Sequence, residues 1–266
     1  MGIKRIASFQ QELWAFYNEH GRDLPWRQTI DPYHVLVSEI MLQQTQVSRV
    51  TPKYTEFLIS FPNVHTLARA TLADVLKVWS GLGYNRRAKY LHETAKVVAE
   101  LGGSFPKTVE QLELLPGVGK NTAGAIMAYA YNIPAVFIET NIRTVYIHYF
   151  FADQAGVSDK QILPIIEASI DAQNPREFYW ALMDLGTHIK KSVGNVARVS
   201  KHYTRQSHFD GSIRQVRGKV LKQLGVKSQS LSELMDSIAD ERLVQVLDDL
   251  QNEKLISVSG KKYQLG

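Results

Sequence analysis

The chain has 266 residues, 44% of them hydrophobic and 21% charged, which reads as soluble and globular with room for a full core and one to three domains. It has no cysteine, which excludes disulfides, thiolate zinc sites and cysteine-ligated iron–sulfur clusters. The net charge of +5 is uneven: residues 190–227 hold ten Lys/Arg against one acid, Asp210, and the remainder nets −4. A polyanion partner and a basic, solvated linker are the two readings of that block.

The N-terminus (MGIKRIASFQQEL) lacks a signal-peptide core, and no apolar run is long enough to span a membrane. The expected location is cytoplasmic, nucleoid-associated if bacterial, with no membrane partner. Residues 5–20 place Ile6, Phe9, Leu13, Phe16 and Tyr17 at helical spacing, and Gly21 ends that helix. Leu24-Pro25-Trp26-Arg27 is a loop with Trp26 as a core anchor. Residues 33–47 (YHVLVSEIMLQQTQV) set a carboxylate, Glu39, inside a mostly apolar helix. A Glu there is costly unless paired or functional; the alternative is an exposed helix face. Gln43 and Gln44 follow one turn later, with amides that both donate and accept and so suit insertion beside bases.

Three further helices are expected over 53–60, 66–79 and 87–101. Between the last two, Gly81-Leu82-Gly83-Tyr84-Asn85-Arg86-Arg87 forms a turn whose aromatic and two arginines can stack on a base and grip phosphate. The competing reading is a capped turn with Tyr84 in the core. Leu112–Ala130 (LELLPGVGKNTAGAIMAYA) carries the strongest single signal. Its first helix stops at Pro116, and Gly117 and Gly119 keep Cβ atoms away from an approaching group. The next helix opens with Lys120-Asn121-Thr122, so free N–H groups, the helix dipole and the Lys120 charge point at one spot. That is a helix-hairpin-helix, a phosphate cradle indifferent to base sequence. An ordinary glycine-rich turn is the alternative.

Beyond it, Glu139-Thr140-Asn141 opens a helix running to Phe151, with Glu139 at or near the N-cap. Helices over 160–172 and 176–190 follow. Residues 211–266 are expected to form three helices (211–224, 230–239, 241–253) and a hairpin from 255 to 265, resembling a winged helix. No stretch before residue 255 alternates like a strand, so the body is all-α.

From about Glu12 to Gly186 the chain resembles the helix-hairpin-helix DNA glycosylases, and within them the A/G-specific adenine DNA glycosylases. The segments LPWR (24–27), SEIMLQQTQV (38–47), GLGYNRRAKYL (81–91), LPGVGKNTAGA (115–125), IETNIRTV (138–145) and MDLG (183–186) carry the resemblance, in order. It implies a mainly α, two-lobed fold with a DNA-binding cleft and, here, a small winged-helix-like domain. Residues 1–27 plus 136–208 would form one lobe, 28–135 the helix-hairpin-helix lobe, and 209–266 the last domain.

The resemblance matches Glu39 to the catalytic acid and Glu139 to the second carboxylate, usually Asp. Asn121 and Asn141 fall to the base pocket, with Asn121 where bifunctional relatives carry a Schiff-base lysine. Gln44 lies in the duplex wedge and Tyr84 probes near the partner base, with Gln43, Arg86 and Arg87 as further DNA-binding residues. Gly117, Gly119 and Lys120 match the phosphate cradle, with Thr122 beside them as a DNA-binding residue. The family's four-cysteine loop is matched by Lys190, Ala197, Ser200 and Gln206, so no cluster is expected. Lys190, Lys191 and Arg198 would hold DNA backbone instead. No metal is assigned, with a structural cation at the hairpin left open.

The implied function is a monofunctional glycosylase of base-excision repair, acting as a monomer on double-stranded DNA with a mismatched or damaged base. Adenine opposite 8-oxoguanine or guanine is the first target. Thymine or uracil opposite guanine, a modified base, or non-catalytic lesion binding are the alternatives. Glu at 139, and a 56-residue tail in place of the family's larger C-terminal domain, are the departures that bear on the target.

Overall fold

The computed structural model describes residues 3–204 and 208–266. The helices run α1 Ile3–His20, α2 Pro32–Leu42, α3 Val47–Ser60, α4 Val64–Arg69, α5 Leu72–Trp79, α6 Arg86–Glu100, α7 Val109–Glu113, α8 Lys120–Tyr129, α9 Thr140–Phe150, α10 Asp159–Ser169 and α11 Pro175–Ser192. The C-terminal part adds α12 Ile213–Leu224, β1 Gln229–Ser230, α13 Leu231–Ile238, α14 Leu243–Asn252, β2 Ile256–Ser259 and β3 Lys262–Leu265. Among the described residues no helix is long and apolar enough to cross a membrane.

Three segments differ from the expected elements. The helix expected over 66–79 is two, because Ala70 is extended and the Thr71 hydroxyl caps a new start, accepting from the Asp74 N–H at 3.1 Å. The helix carrying Glu39 stops at Leu42, and Gln44 adopts a left-handed conformation at φ 54°. The C-terminal hairpin gains a third strand, giving an antiparallel sheet of order β1-β3-β2 with Ile256 opposite Leu265 and Gln229 opposite Tyr263. Helix, strand, two helices and two strands in that order make a winged helix.

The chain divides into two compact units. The first comprises Met1–Val35, Pro106–Leu114 and Val118–Arg205. In it α1 packs on α10 and α11, and α11 packs on α8 and α9. Phe9, Leu13, Phe137, Tyr146, Phe178 and Tyr179 are buried there, with the Phe137 and Tyr179 rings stacked at 4.1 Å. Gly186 allows the close approach of α11 to the start of α9, since a Cβ on it would lie 2.4 Å from the Asn141 carbonyl oxygen. Buried Asp184 ties together the LPWR and MDLG segments. Its oxygens accept from both Arg27 terminal nitrogens at 2.8 Å, and from the Arg22 Nε at 2.7 Å and N–H at 2.8 Å.

The second unit comprises Leu36–Phe105, Leu115–Gly117 and Gln206–Gly266. Here α6 packs on α4 and α5 around Phe57, Leu67, Trp79, Leu91 and Val98, and the winged helix is joined to them through contacts of α5 with β3. The Lys89 ammonium donates to the Glu253 carbonyl at 2.8 Å, and Arg217 pairs with the Glu253 carboxylate.

One side chain organises two turns of this unit. Arg87 is buried, and its guanidinium donates to carbonyls of two separate segments. Nη1 reaches Ile40, Met41 and Gln43 at 2.8, 3.0 and 2.6 Å, at the C-terminal end of α2. Nη2 reaches Gly83 at 3.1 Å and the Thr45 hydroxyl at 3.1 Å, while Nε reaches Tyr84 at 3.4 Å. Burial pushes the Arg87 guanidinium down to about 10, which leaves it charged at neutral pH.

Two outcomes follow from these buried charges. Burial alone pushes the Asp184 carboxyl up, but hydrogen bonds and charge from Arg27 and Arg22 outweigh it and hold it below the ordinary carboxylate range. Its contribution is therefore present above the unfolded value near 4 and is lost as pH falls through the lower folded value. Asp184→Asn should cost about 3–5 kcal/mol in chemical denaturation at pH 7, because Arg27 keeps a buried, uncompensated charge. An unchanged midpoint would remove this pair from the stability account. Arg87→Met should lower the unfolding free energy by at least about 3 kcal/mol, since several buried carbonyls lose their donor at about 1–3 kcal/mol each. A smaller loss would mean those carbonyls find water.

Candidate active site and nucleic-acid interface

In the second unit, Glu39 lies half-buried on α2 between buried Ser38 and Ile40. The helix end next to it is fixed by Arg87, which leaves Gln43 and Gln44 exposed on the following turn. The same arginine shapes the turn carrying Tyr84. Tyr84 has a left-handed backbone, φ 48°, unusual for a bulky residue and sustained only where surroundings enforce it. The Gly83 carbonyl also accepts from the Trp79 indole at 3.1 Å. Arg87, read from the sequence as a phosphate grip, is thus an internal clamp. Its neighbour Arg86 is exposed, its Nη2 3.3 Å from the Tyr90 phenol oxygen and the Glu253 carboxylate nearby. The phosphate role therefore suits Arg86.

The hairpin has the geometry of an open anion seat. Gly117 is left-handed at φ 72°, and a Cβ there would fall 2.5 Å from the Tyr90 Cβ, so no other residue fits without displacement. The Pro116 carbonyl before it accepts from the Thr94 hydroxyl at 2.6 Å. Gly119 caps α8 without a side-chain capping bond, and a Cβ added to it would meet open space. Lys120 is exposed beside it, and Thr122 is buried under the first turn.

In the first unit, Glu139 is the N-cap residue of α9 and makes no capping bond of its own. Burial pushes its carboxyl up, and the Arg143 guanidinium one turn later opposes that shift. Arg143 is itself held by both oxygens of Asp159 at 2.7 Å. Asn121 bonds the Ile138 backbone with both ends of its amide, Nδ2 to the carbonyl at 2.8 Å and the N–H to Oδ1 at 3.3 Å. It therefore fixes the backbone one residue before Glu139. Asn141 accepts from the Lys190 ammonium at 2.6 Å. Lys190 is half-buried, its ammonium pushed down by burial and by Arg143, while Lys191 and Arg198 are exposed.

The loop that would enclose a cluster has no fit for one. Lys190 is engaged by Asn141, Ala197 is a buried methyl group and Ser200 offers only a hydroxyl; Gln206 lies outside the described residues. Backbone bonds hold the loop instead. The Val199 carbonyl accepts from the Gly156 and Val157 N–H groups at 2.8 and 3.2 Å, and the Lys201 N–H donates to the Val157 carbonyl at 3.0 Å. Among the described residues no group of His, Cys, Asp and Glu has the arrangement to hold a metal ion.

Arg22 and Arg214 are the residues that sequence reading missed. Arg214 on α12 donates to the Tyr84 hydroxyl at 2.6 Å, a partner 130 positions away that no periodicity reveals. Arg22 lies two residues before LPWR, and only its bonds to Asp184 mark it.

Known proteins share this architecture. Residues 37–167 match the family described as HhH-GPD superfamily base excision DNA repair protein. An adenine DNA glycosylase of Buchnera aphidicola is 38% identical over 187 residues, which are 68% of this chain and 52% of that protein. An adenine DNA glycosylase of Mycolicibacterium smegmatis is 35% identical over 235 residues, 79% of this chain and 78% of that protein. The structure of a thermostable thymine-DNA glycosylase superposes with a TM-score of 0.63 at 27% identity, covering 75% of this chain and 97% of that one. The chain spans about half the length of several adenine DNA glycosylases it matches. With a 35%-identical relative aligned over most of its length and the hairpin geometry above, the chain belongs to the helix-hairpin-helix base excision DNA repair superfamily, among the adenine DNA glycosylases.

Proposed function

We propose that the chain is a monofunctional DNA glycosylase that acts as a monomer on duplex DNA and removes adenine opposite 8-oxoguanine or guanine. The observation that carries this reading is the retention of two carboxylates, Glu39 on α2 and Glu139 at the head of α9, in a chain that also keeps the phosphate-binding hairpin. A base inside a duplex must be extruded before its glycosidic bond is reached. Cleavage then breaks the C1′–N bond with positive charge building on the sugar, as in glycoside hydrolysis. Glu39 gives its proton to the departing purine. Burial pushes the Glu139 carboxyl up and Arg143 opposes that shift; in its ionised form Glu139 stabilises the cationic sugar and orients the water that adds to C1′, whose proton passes to solvent. The hairpin N–H groups, Lys120 and Arg86 hold backbone phosphate, and Gln43, Gln44 and Tyr84 fill the gap left by the extruded base.

The monofunctional assignment rests on Asn121. A lyase needs an amine to form a Schiff base, and here the side chain at that place is an amide bound to Ile138. Lys120 is one residue away, about 100° around the helix. A second reading, thymine or uracil opposite guanine, gains support from the likeness to a thymine-DNA glycosylase and from Glu139, whose carboxylate stands one bond further from the backbone than that of Asp.

The assignment of Glu39 is tested by single-turnover base release and duplex binding. Glu39→Gln should slow release by about 10²–10⁴-fold, the range of general acid catalysis, while binding to the same duplex persists. Unchanged release would take Glu39 out of the mechanism, and a borohydride-trapped adduct of the native protein would contradict the monofunctional assignment.

A further inference from the structure

The winged helix invites the assumption that its third helix reads DNA, and its charges argue otherwise. Helix α14 carries Asp248 and Asp249 and no Lys or Arg, so it repels a phosphate backbone. Helix α12 carries Arg214, Arg217, Lys219 and Lys222 and no acid. Arg217 is spent on Glu253, while Lys219 and Lys222 remain exposed. Arg214 reaches the glycosylase body at Tyr84. Its guanidinium donates to the Tyr84 hydroxyl at 2.6 Å and lies 5.4 Å from the centre of the Tyr84 ring, with that of Arg87 at 5.5 Å from the same ring. The left-handed Tyr84 backbone is held by Arg87, and its side chain is held by Arg214.

We propose that Arg214 is a positioning residue for Tyr84, and that the winged helix enters the DNA interface through α12 at this aromatic and not through α14. A tyrosine that is to stack beside a base must be presented in one rotamer before DNA arrives, or ordering it draws on the binding energy. A planar guanidinium does this in two ways at once, by the hydroxyl hydrogen bond and by its face against the ring. A lysine supplies the charge and a donor but not the plane. The winged helix thereby bears on the reading of the duplex with one side chain.

This inference rests on the chain being a DNA glycosylase, and the test separates the two. Equilibrium binding is measured on a duplex with a tetrahydrofuran abasic analogue opposite guanine, for the full chain and for Arg214→Ala, Arg214→Lys, Tyr84→Ala and the Arg214→Ala/Tyr84→Ala double variant. Arg214→Ala should weaken binding by about tenfold, the scale of one stacked base. The double variant should bind no worse than Tyr84→Ala, and Arg214→Lys should not restore affinity. Asp248→Lys on α14 should leave affinity and salt slope unchanged.

Additive losses with a salt slope lower by about 0.9 would make Arg214 a phosphate contact and overturn the proposal. Full rescue by Arg214→Lys, or a lowered melting temperature with unchanged binding, would overturn it as well. Tighter binding by Asp248→Lys with a steeper slope would put α14 at the DNA. Base release by the unsubstituted chain, measured alongside, reports on the glycosylase reading itself. Coupled binding without release would sink that reading alone, and release with uncoupled variants would sink this one alone.

Discussion

A buried guanidinium without a carboxylate partner is costly unless carbonyl oxygens replace its water, and Arg87 meets that condition by drawing two chain segments onto itself. One segment ends the helix bearing Glu39 and turns Gln43 and Gln44 outward. The other is the turn that sets Tyr84 in a left-handed backbone. The wedge, the partner-side aromatic and the backbone near the acid therefore share one internal fixture. Loops that carry function are ordinarily mobile. Here the donor geometry of one planar side chain removes that freedom.

The first unit solves a related problem in another way. A carboxylate at the head of α9 needs a fixed backbone and a supporting charge. Asn121 supplies the first by pairing with both polar groups of Ile138, and Arg143, itself gripped by Asp159, supplies the second. The adjacent loop, which in the resembling family encloses a cluster, is organised by backbone pairing of residues 156–157 with 199–201 and by buried Ala197. Lys190 meanwhile turns inward to Asn141, so a side chain standing where the resembling family carries a cluster ligand holds the first turn of α9 through a hydrogen bond.

Much of this was legible in the sequence, for physical reasons. Helical periodicity and the run Leu-Pro-Gly-Val-Gly-Lys between two apolar helices pointed to the hairpin, which G-V-G alone would not have separated from an ordinary turn. The winged helix followed from three helical patterns and a terminal hairpin. Two-residue β1 was illegible, since no alternation fits in two residues. The break at Ala70 turned on one threonine cap inside a continuous apolar pattern. Adjacent arginines 86 and 87 look alike in sequence, yet one residue is about 100° of helix, enough to place one outside and the other in the core. The bonds of Asn121 to Ile138 and of Lys190 to Asn141 were not legible, because the partners are distant in sequence. The division of labour between α12 and α14 was visible in their charges, but the contact of Arg214 with Tyr84 was not.

The measurement closest to the central claim is base release from a duplex panel holding A, T, U and modified bases opposite guanine and 8-oxoguanine, read with and without alkali. Release of adenine opposite 8-oxoguanine or guanine, with strand breaks appearing only after alkali, is the predicted result. Release confined to another base would contradict the adenine assignment, and no release from any duplex would contradict the glycosylase account.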